Sequence, residues 1–318
     1  MDYRKIIEFG KSSYVVSLPK AWLVEKKLKK GDVIYVDQES DRLVIYPAER
    51  KKTRDIQKVT VDVTNMTRQE IRLNIISKYI RNFNEITIVS KNMKSKAKDV
   101  RNIIHDLMAL EVVEENASKI VTRDFLNMEE ISPLNLINKM DLITREMLID
   151  AKNTFNEDKY DNIAERDSDV NRLSYLIFRT VKYLRKNPAV AKKSGLGQNY
   201  LHAMWVAAVK IESIADQAKR VAKLMKRVDF SKQEYGEFYE LFSTIEQYYM
   251  DAIDAFYKKD PDKAMNLVMQ RKKLIKQCKD FYRQSWNHEW VPVILEKLKS
   301  IIADTKSLLT YICDLDDW

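Results

Sequence analysis

The chain has 318 residues, 45% hydrophobic and 32% charged, with only five glycines and six prolines. Its length suits about two or three domains, and the scarcity of helix breakers excludes an all-β build in favour of long helices. A formal net charge of +9 suits a polyanionic partner without requiring one. Cys278 and Cys313 show no CxxC spacing, which points away from a disulfide framework and towards a reducing interior. No run approaches the ~18 apolar residues of a membrane span. The segment "MDYRKIIEF" has no apolar signal-peptide core. The expected location is cytoplasmic.

Residues 1–50 read as short strands and turns. "KIIEF" and "SYVVSL" flank a break at Gly10-Lys11-Ser12-Ser13. Pro19 opens a short helix, "PKAWLVEKK", where its missing N–H costs nothing. Gly31-Asp32 makes a turn, and "VIYVDQ" and "LVIYP" pair around "ESDR" as a hairpin. "AERKKTRD" (48–55) is a charged linker. Residues 56–126 then alternate: strand "VTVDV", helix "TRQEIRLNIISKYI", strand "EITIVS", helix "SKAKDVRNIIHDLM", strands "EVVEE" and "KIVTRDF". This βαβαββ order predicts a small α/β domain. It holds no glycine, so it contains no Gly-rich phosphate loop.

From 133 to 318 the pattern is helical, with apolar residues at three- and four-residue spacing. Helices are expected near 133–156, 158–186, 197–227, 232–258, 261–286 and 290–314. An internal repeat appears on sliding the chain by 104 residues. Ile149, Asp150 and Ala151 fall on Ile253, Asp254 and Ala255. Asp158, Lys159 and Asn162 fall on Asp262, Lys263 and Asn266. With a shorter loop, "IESIAD" (211–216) falls on "KSIIAD" (299–304). Two tandem three-helix units are predicted. The overall class is therefore multidomain: a small β domain, a small α/β domain, and an all-α pair of three-helix bundles.

The first helical unit carries a carboxylate constellation. Glu165 with Asp169, and Asp167 with Asn171, are spaced i, i+4, which puts each pair on one helix face. Glu212 and Asp216 have the same spacing on a helix with apolar neighbours. Such faces on adjacent helices can converge four or more oxygen ligands, which suits hard cations such as Mg²⁺, Mn²⁺ or iron. Two plainer readings compete. Glu165 and Asp169 lie among other charges and suit solvated positions. Glu212 and Asp216 need a partner at the core margin, and a Lys or Arg from a facing helix meets that need as well as a metal does. The second unit breaks the pattern: Arg271 and Ile275 stand at the positions of Asp167 and Asn171, and Ser300 replaces Glu212, leaving Asp304. His105, His202 and His288 are isolated, and there is no GxSxG, Walker loop or HExxH. Nothing marks an enzyme.

"DNIAERDSDVNRLSYLI" followed by "KIESIADQAKRVAKL" resembles the PhoU family of phosphate-uptake regulators. That resemblance implies tandem three-helix bundles whose acidic motifs bind metal clusters, over about 133–314. Its first motif matches Glu165, Asp167, Val170 and Asn171, and its second Glu212 to Asp216. The implied metal site is Glu165, Asp167, Asp169, Asn171, Glu212 and Asp216, holding a divalent or ferric ion (iron, zinc, manganese or magnesium).

"FGKSSYVVSLPKAWL" with "KKGDVIYV" is similar to the AbrB/MazE/SpoVT swapped-hairpin domain. That resemblance implies an intertwined homodimer that binds double-stranded DNA through Arg4, Lys5, Lys11, Ser12, Ser13 and Lys20. Gly10 and Gly31 supply the turns, and Lys/Arg exceed Asp/Glu by five over residues 1–58. The combination resembles the archaeal-type phosphate uptake regulators. It implies a cytoplasmic transcriptional regulator of phosphate uptake that is not an enzyme. The alternative is an adaptor without DNA contact that regulates a phosphate transporter or signalling kinase through protein contact, with the head serving only for dimerisation.

Overall fold

The computed structural model describes residues 3–39, 42–47, 56–285 and 287–314. The chain forms two compact units, residues 1–55 and 56–318.

In the first unit, β1 (Ile7–Phe9) and β2 (Ser13–Val15) make an antiparallel hairpin with Phe9 opposite Ser13. Its three-residue loop opens on Gly10 at φ +73°, a conformation that a Cβ would strain. The helix α1 (Lys20–Glu25) starts after Pro19, which is the N-cap residue. A turn through Gly31 (φ +91°) follows, held where the Asp32 carboxylate accepts from the Lys29 amide at 2.8 Å. The strands β3 (Ile34–Glu39) and β4 (Arg42–Pro47) form a second antiparallel hairpin. The two hairpins belong to separate sheets. No described residue of this unit is buried; Phe9 and Tyr14 are about 70% exposed. The expected hairpin tip at 40–41 and linker at 48–55 lie outside the described residues.

The second unit opens with the expected βαβαββ order: β5 (Lys58–Asp62), α2 (Arg68–Ile80), β6 (Glu85–Val89), α3 (Met93–His105), β7 (Leu110–Glu115) and β8 (Lys119–Asp124). The sheet runs β5-β6-β8-β7, with β5 and β6 parallel and the other pairs antiparallel. Thr67 and Glu70 form a capping box that starts α2, satisfying two orphan amides reciprocally. Ile71, Ile75 and Tyr79 of α2 and Val100 and Ile104 of α3 close a core against Ile86, Ile88 and Ile120.

Seven helices follow: α4 (Pro133–Asn153), α5 (Tyr160–Lys186), α6 (Pro188–Lys193), α7 (Gln198–Met225), α8 (Lys232–Lys258), α9 (Pro261–Gln284) and α10 (Val291–Cys313). The short α6 lies between the expected helices 158–186 and 197–227, because Pro188 at its first turn starts a helix as readily as it ends one. Ser132, Ser231 and Asp260 cap α4, α8 and α9 through side-chain oxygens. Helices α4, α5 and α7 form one triplet and α8, α9 and α10 another, joined where α7 packs on α10 and α4 on α8. One continuous core runs through both.

An ion pair reproduces the sequence repeat in three dimensions. Lys159 reaches Asp150 at 3.2 Å, and Lys263 reaches Asp254 at 2.8 Å. These are corresponding residues of the two triplets, so the repeat is one of contacts as well as letters.

The α/β layer is fastened to the bundle by a buried guanidinium. Arg179 of α5 is fully buried. It donates to Asp124 Oδ2 at 2.5 Å and to Asn82 Oδ1 at 3.2 Å, and it lies 4.4 Å from the centroid of the Tyr79 ring. Asn82 returns a hydrogen bond to the Arg179 carbonyl at 3.1 Å. Removing one member of such a pair strands a buried charge. Arg179→Met is expected to lower the unfolding free energy by about 3–5 kcal/mol, and Arg179→Met/Asp124→Leu to recover much of that loss, both read from denaturant midpoints.

Candidate functional site

The acidic motifs meet between α5 and α7. Asp167 and Asn171 share the stripe of α5 that faces α7. Asn171 donates to the Asp167 carbonyl at 2.9 Å and to its carboxylate at 3.3 Å. Asp167 is buried, while Glu212 and Asp216, one turn apart on α7, are half-buried. Burial pushes the Glu212 carboxyl up, and the charges of Asp216 and Asp167 push it further. Asp167 on α5 thus lies within electrostatic reach of Glu212 and Asp216 on α7.

The cation among them is a lysine. Lys219 Nζ lies 2.5 Å from Asp167 Oδ2 and 3.2 Å from Asp216 Oδ1, and Arg220 holds the other Asp216 oxygen at 2.7 Å. Burial works against the Lys219 charge, but the hydrogen bond to Asp167 and the two carboxylate charges outweigh it, so its ammonium is held above the ordinary lysine range. A partner of this kind was anticipated from a facing helix. It comes instead from the helix of Glu212 and Asp216, seven and three residues further on. That spacing was the signal available in the sequence.

Glu165 and Asp169 stand apart. Both are exposed, and Asp169 pairs with Arg172 at 3.5 Å. Two residues along a helix turn a side chain by roughly 200°, so neither can share the stripe of Asp167. Of the six expected ligands, the structure brings Asp167, Asn171, Glu212 and Asp216 together. As placed they do not fit a metal centre: among the described residues no group of three or more His, Cys, Asp or Glu side chains is arranged to hold a metal, and an ammonium neutralises the carboxylates.

In the second triplet Asp304, the surviving acid, accepts from Lys210 at 2.8 Å and from the Ser213 hydroxyl at 2.7 Å, both on α7. It ties α10 to α7 and is not part of an acidic cluster. In the first unit, Arg4, Lys5, Lys11, Ser12, Ser13 and Lys20 are all exposed. Lys11 and Ser12 lie in the β1–β2 loop, Ser13 begins β2, and Lys20 begins α1.

Two three-helix bundles sharing one core, with an acid-lined stripe in the first, define a tandem helical-bundle protein. Residues 137–225 match the family model of the PhoU domain. The crystal structure of PhoU from Pseudomonas aeruginosa shares the fold at a TM-score of 0.50 and 16% identity, covering 57% of this chain and 93% of that one. No curated protein matches the chain.

The raised Glu212 carboxyl has a pH consequence. Its folded value lies above its unfolded one, so the penalty of ionising it in the fold is absent below about pH 4.3, the ordinary glutamate value. The penalty grows as pH rises through the folded value. Glu212→Gln is expected to be more stable than wild type at pH 7, with the gain vanishing near pH 4, measured as denaturant midpoints across that range.

Proposed function

We propose that the chain is a cytoplasmic, DNA-binding regulator of phosphate uptake that works as a homodimer through its N-terminal unit. The PhoU domain supports the link to phosphate regulation. The observation that carries the rest is the first unit: two isolated hairpins with no buried residue and a basic Gly10-Lys11-Ser12 loop. A lone two-stranded hairpin is marginal in water. Four hairpins from two copies, interleaved as in the swapped-hairpin domains the sequence resembles, would give Ile7, Phe9, Val36 and Leu43 an interior, since Val36 and Leu43 share one face of the second hairpin. Arg4, Lys5, Lys11 and Lys20 would then meet DNA phosphates, and Ser12 and Ser13 would donate hydrogen bonds to them.

A second reading is the adaptor that touches a phosphate transporter or signalling kinase and leaves DNA alone. It draws support from Met265 and Met269 of α9, which are 54% and 72% exposed on the helical body. Gel retardation on the chain's own promoter region decides between the two. A retarded complex that weakens by roughly 10³–10⁵-fold between 50 and 200 mM salt, as six to ten phosphate contacts require, and that Lys11→Glu abolishes without changing the stability of the body, supports the DNA-binding reading. No complex at low salt refutes it.

In this reading the acidic cluster of the PhoU domain is neutralised by Lys219, and an iron, zinc, manganese or magnesium ion would have to displace that ammonium. Lys219→Met is expected to gain Mn²⁺ binding that wild type lacks, measured by metal analysis after dialysis. Stoichiometric metal in wild type that disappears in Asp216→Ala would refute neutralisation by lysine and establish the metal site.

A further inference from the structure

The second triplet has changed the sign of the face that the first uses for its acids. Between α9 and α10 runs a groove of 480 Å³ lined by Arg271, Lys272, Ile275, Lys276, Lys279 and Lys299. Arg271 and Ile275 stand where the repeat places Asp167 and Asn171. From these observations we infer that the groove is a binding site for a short linear anion bearing several phosphate groups.

Charge comes first. Lys299 pairs with Glu296 at 2.7 Å. Among the described residues, Arg271, Lys272, Lys276 and Lys279 have no carboxylate within ion-pair distance. Some cations elsewhere in the body are answered, among them Lys152 by Glu246, Lys210 by Asp304, Lys219 by Asp167 and Lys263 by Asp254, whereas here these four unpaired cations share one short stretch of helix. Four unanswered cations on neighbouring turns repel one another within a screening length of about 8 Å. A bound polyanion removes that repulsion.

Shape selects among anions. Positions 271, 275 and 279 follow one i, i+4 row of α9 and 272 and 276 the next, so the cations extend over about 12 Å of helix. A single phosphate reaches one end of such a row, whereas a linear chain of phosphates meets all of it. Lysines act as point charges for successive phosphates, and the Arg271 fork can take two oxygens of one group. The volume lies in the range of small-ligand sites, about 300–1,000 Å³, and Ile275 contributes apolar wall. Beneath α9, the Tyr248 hydroxyl of α8 is buried without a partner. Burial lifts it to about 12, and the Arg271 charge pulls against that rise, so Tyr248 stays neutral and adds no negative charge near the groove.

Calorimetric titration of the full chain with sodium tripolyphosphate tests the site, with orthophosphate, a single-stranded oligonucleotide, a poly-glutamate peptide and anionic phosphatidylglycerol vesicles as rival ligands. Tripolyphosphate should bind at least about tenfold tighter than orthophosphate, a difference of about 1.4 kcal/mol. Lys272→Glu/Lys276→Glu should weaken it by at least a further factor of about ten. Lys94→Glu/Lys98→Glu, exposed positions on α3, should leave it unchanged. All four lysines are exposed, so both variants are expected to keep the fold, which their thermal midpoints verify. Lys11→Glu should also leave tripolyphosphate binding intact, which separates this site from the proposed DNA-binding head. The proposal is overturned if tripolyphosphate does not bind, if orthophosphate binds as tightly, or if Lys272→Glu/Lys276→Glu binds like wild type. It is equally overturned if the oligonucleotide, the acidic peptide or the vesicles bind through Lys272 and Lys276 while tripolyphosphate does not.

Discussion

The body of this protein depends on how closely other helices can approach α7. Ala203, Ala207, Ala208, Ala215, Ala218 and Ala222 are all fully buried on that one helix. A side chain of one carbon lets helix axes come to the short end of the usual 8–10 Å range, and α4, α5 and α10 all pack on α7. Interiors are close-packed, so larger side chains at these positions would push neighbours apart rather than be absorbed. The functional geometry follows from this closeness. Lys219 can bond Asp167 across the gap because α5 lies near α7, and Lys210 and Ser213 can hold Asp304 because α10 does too.

Much of this was legible in the sequence, for identifiable reasons. Long helices with strict apolar periodicity were readable as elements. The βαβαββ order was readable because strand and helix periodicities alternate cleanly between 58 and 124. The repeat was readable because Asp150 and Lys159 recur as Asp254 and Lys263, and the structure shows that each pair keeps its contact. Three features were harder to read. Glu165 and Asp169 carried the right letters but the wrong helix phase. The spacing of Lys219 from Asp216 was visible, but its bond to Asp167 was obscured because that residue comes from a neighbouring helix 52 residues away in sequence. Arg179 gave no local signal at all, since Asp124 and Asn82 lie 55 and 97 residues away from it.

The two triplets use the same scaffold with opposite electrostatics. In the first, carboxylates face inward between α5 and α7 and a lysine answers them. In the second, the corresponding stripe carries Arg271 and Ile275, and Ser307 stands at the repeat position of Lys219. The exchange is coherent: the counterparts of Asp167, Glu212 and Lys219 are Arg271, Ser300 and Ser307, none of them acidic, the surviving Asp304 is taken up by Lys210, and a row of cations lines α9. Duplication followed by such a swap gives one bundle two faces of different chemistry without altering the core that joins them.

The absence of any interior in the described part of the N-terminal unit bears on dosage. A segment that finds its core only in another copy has a stability inseparable from the amount of protein present. Were the proposed homodimer to supply that core, the population of competent heads would rise with the square of total chain at high dilution. Doubling synthesis would then roughly quadruple the assembled heads, whereas the helical body, which closes its own core, would stay folded throughout. Such a molecule would combine a constitutive module with one that switches on at a threshold of abundance.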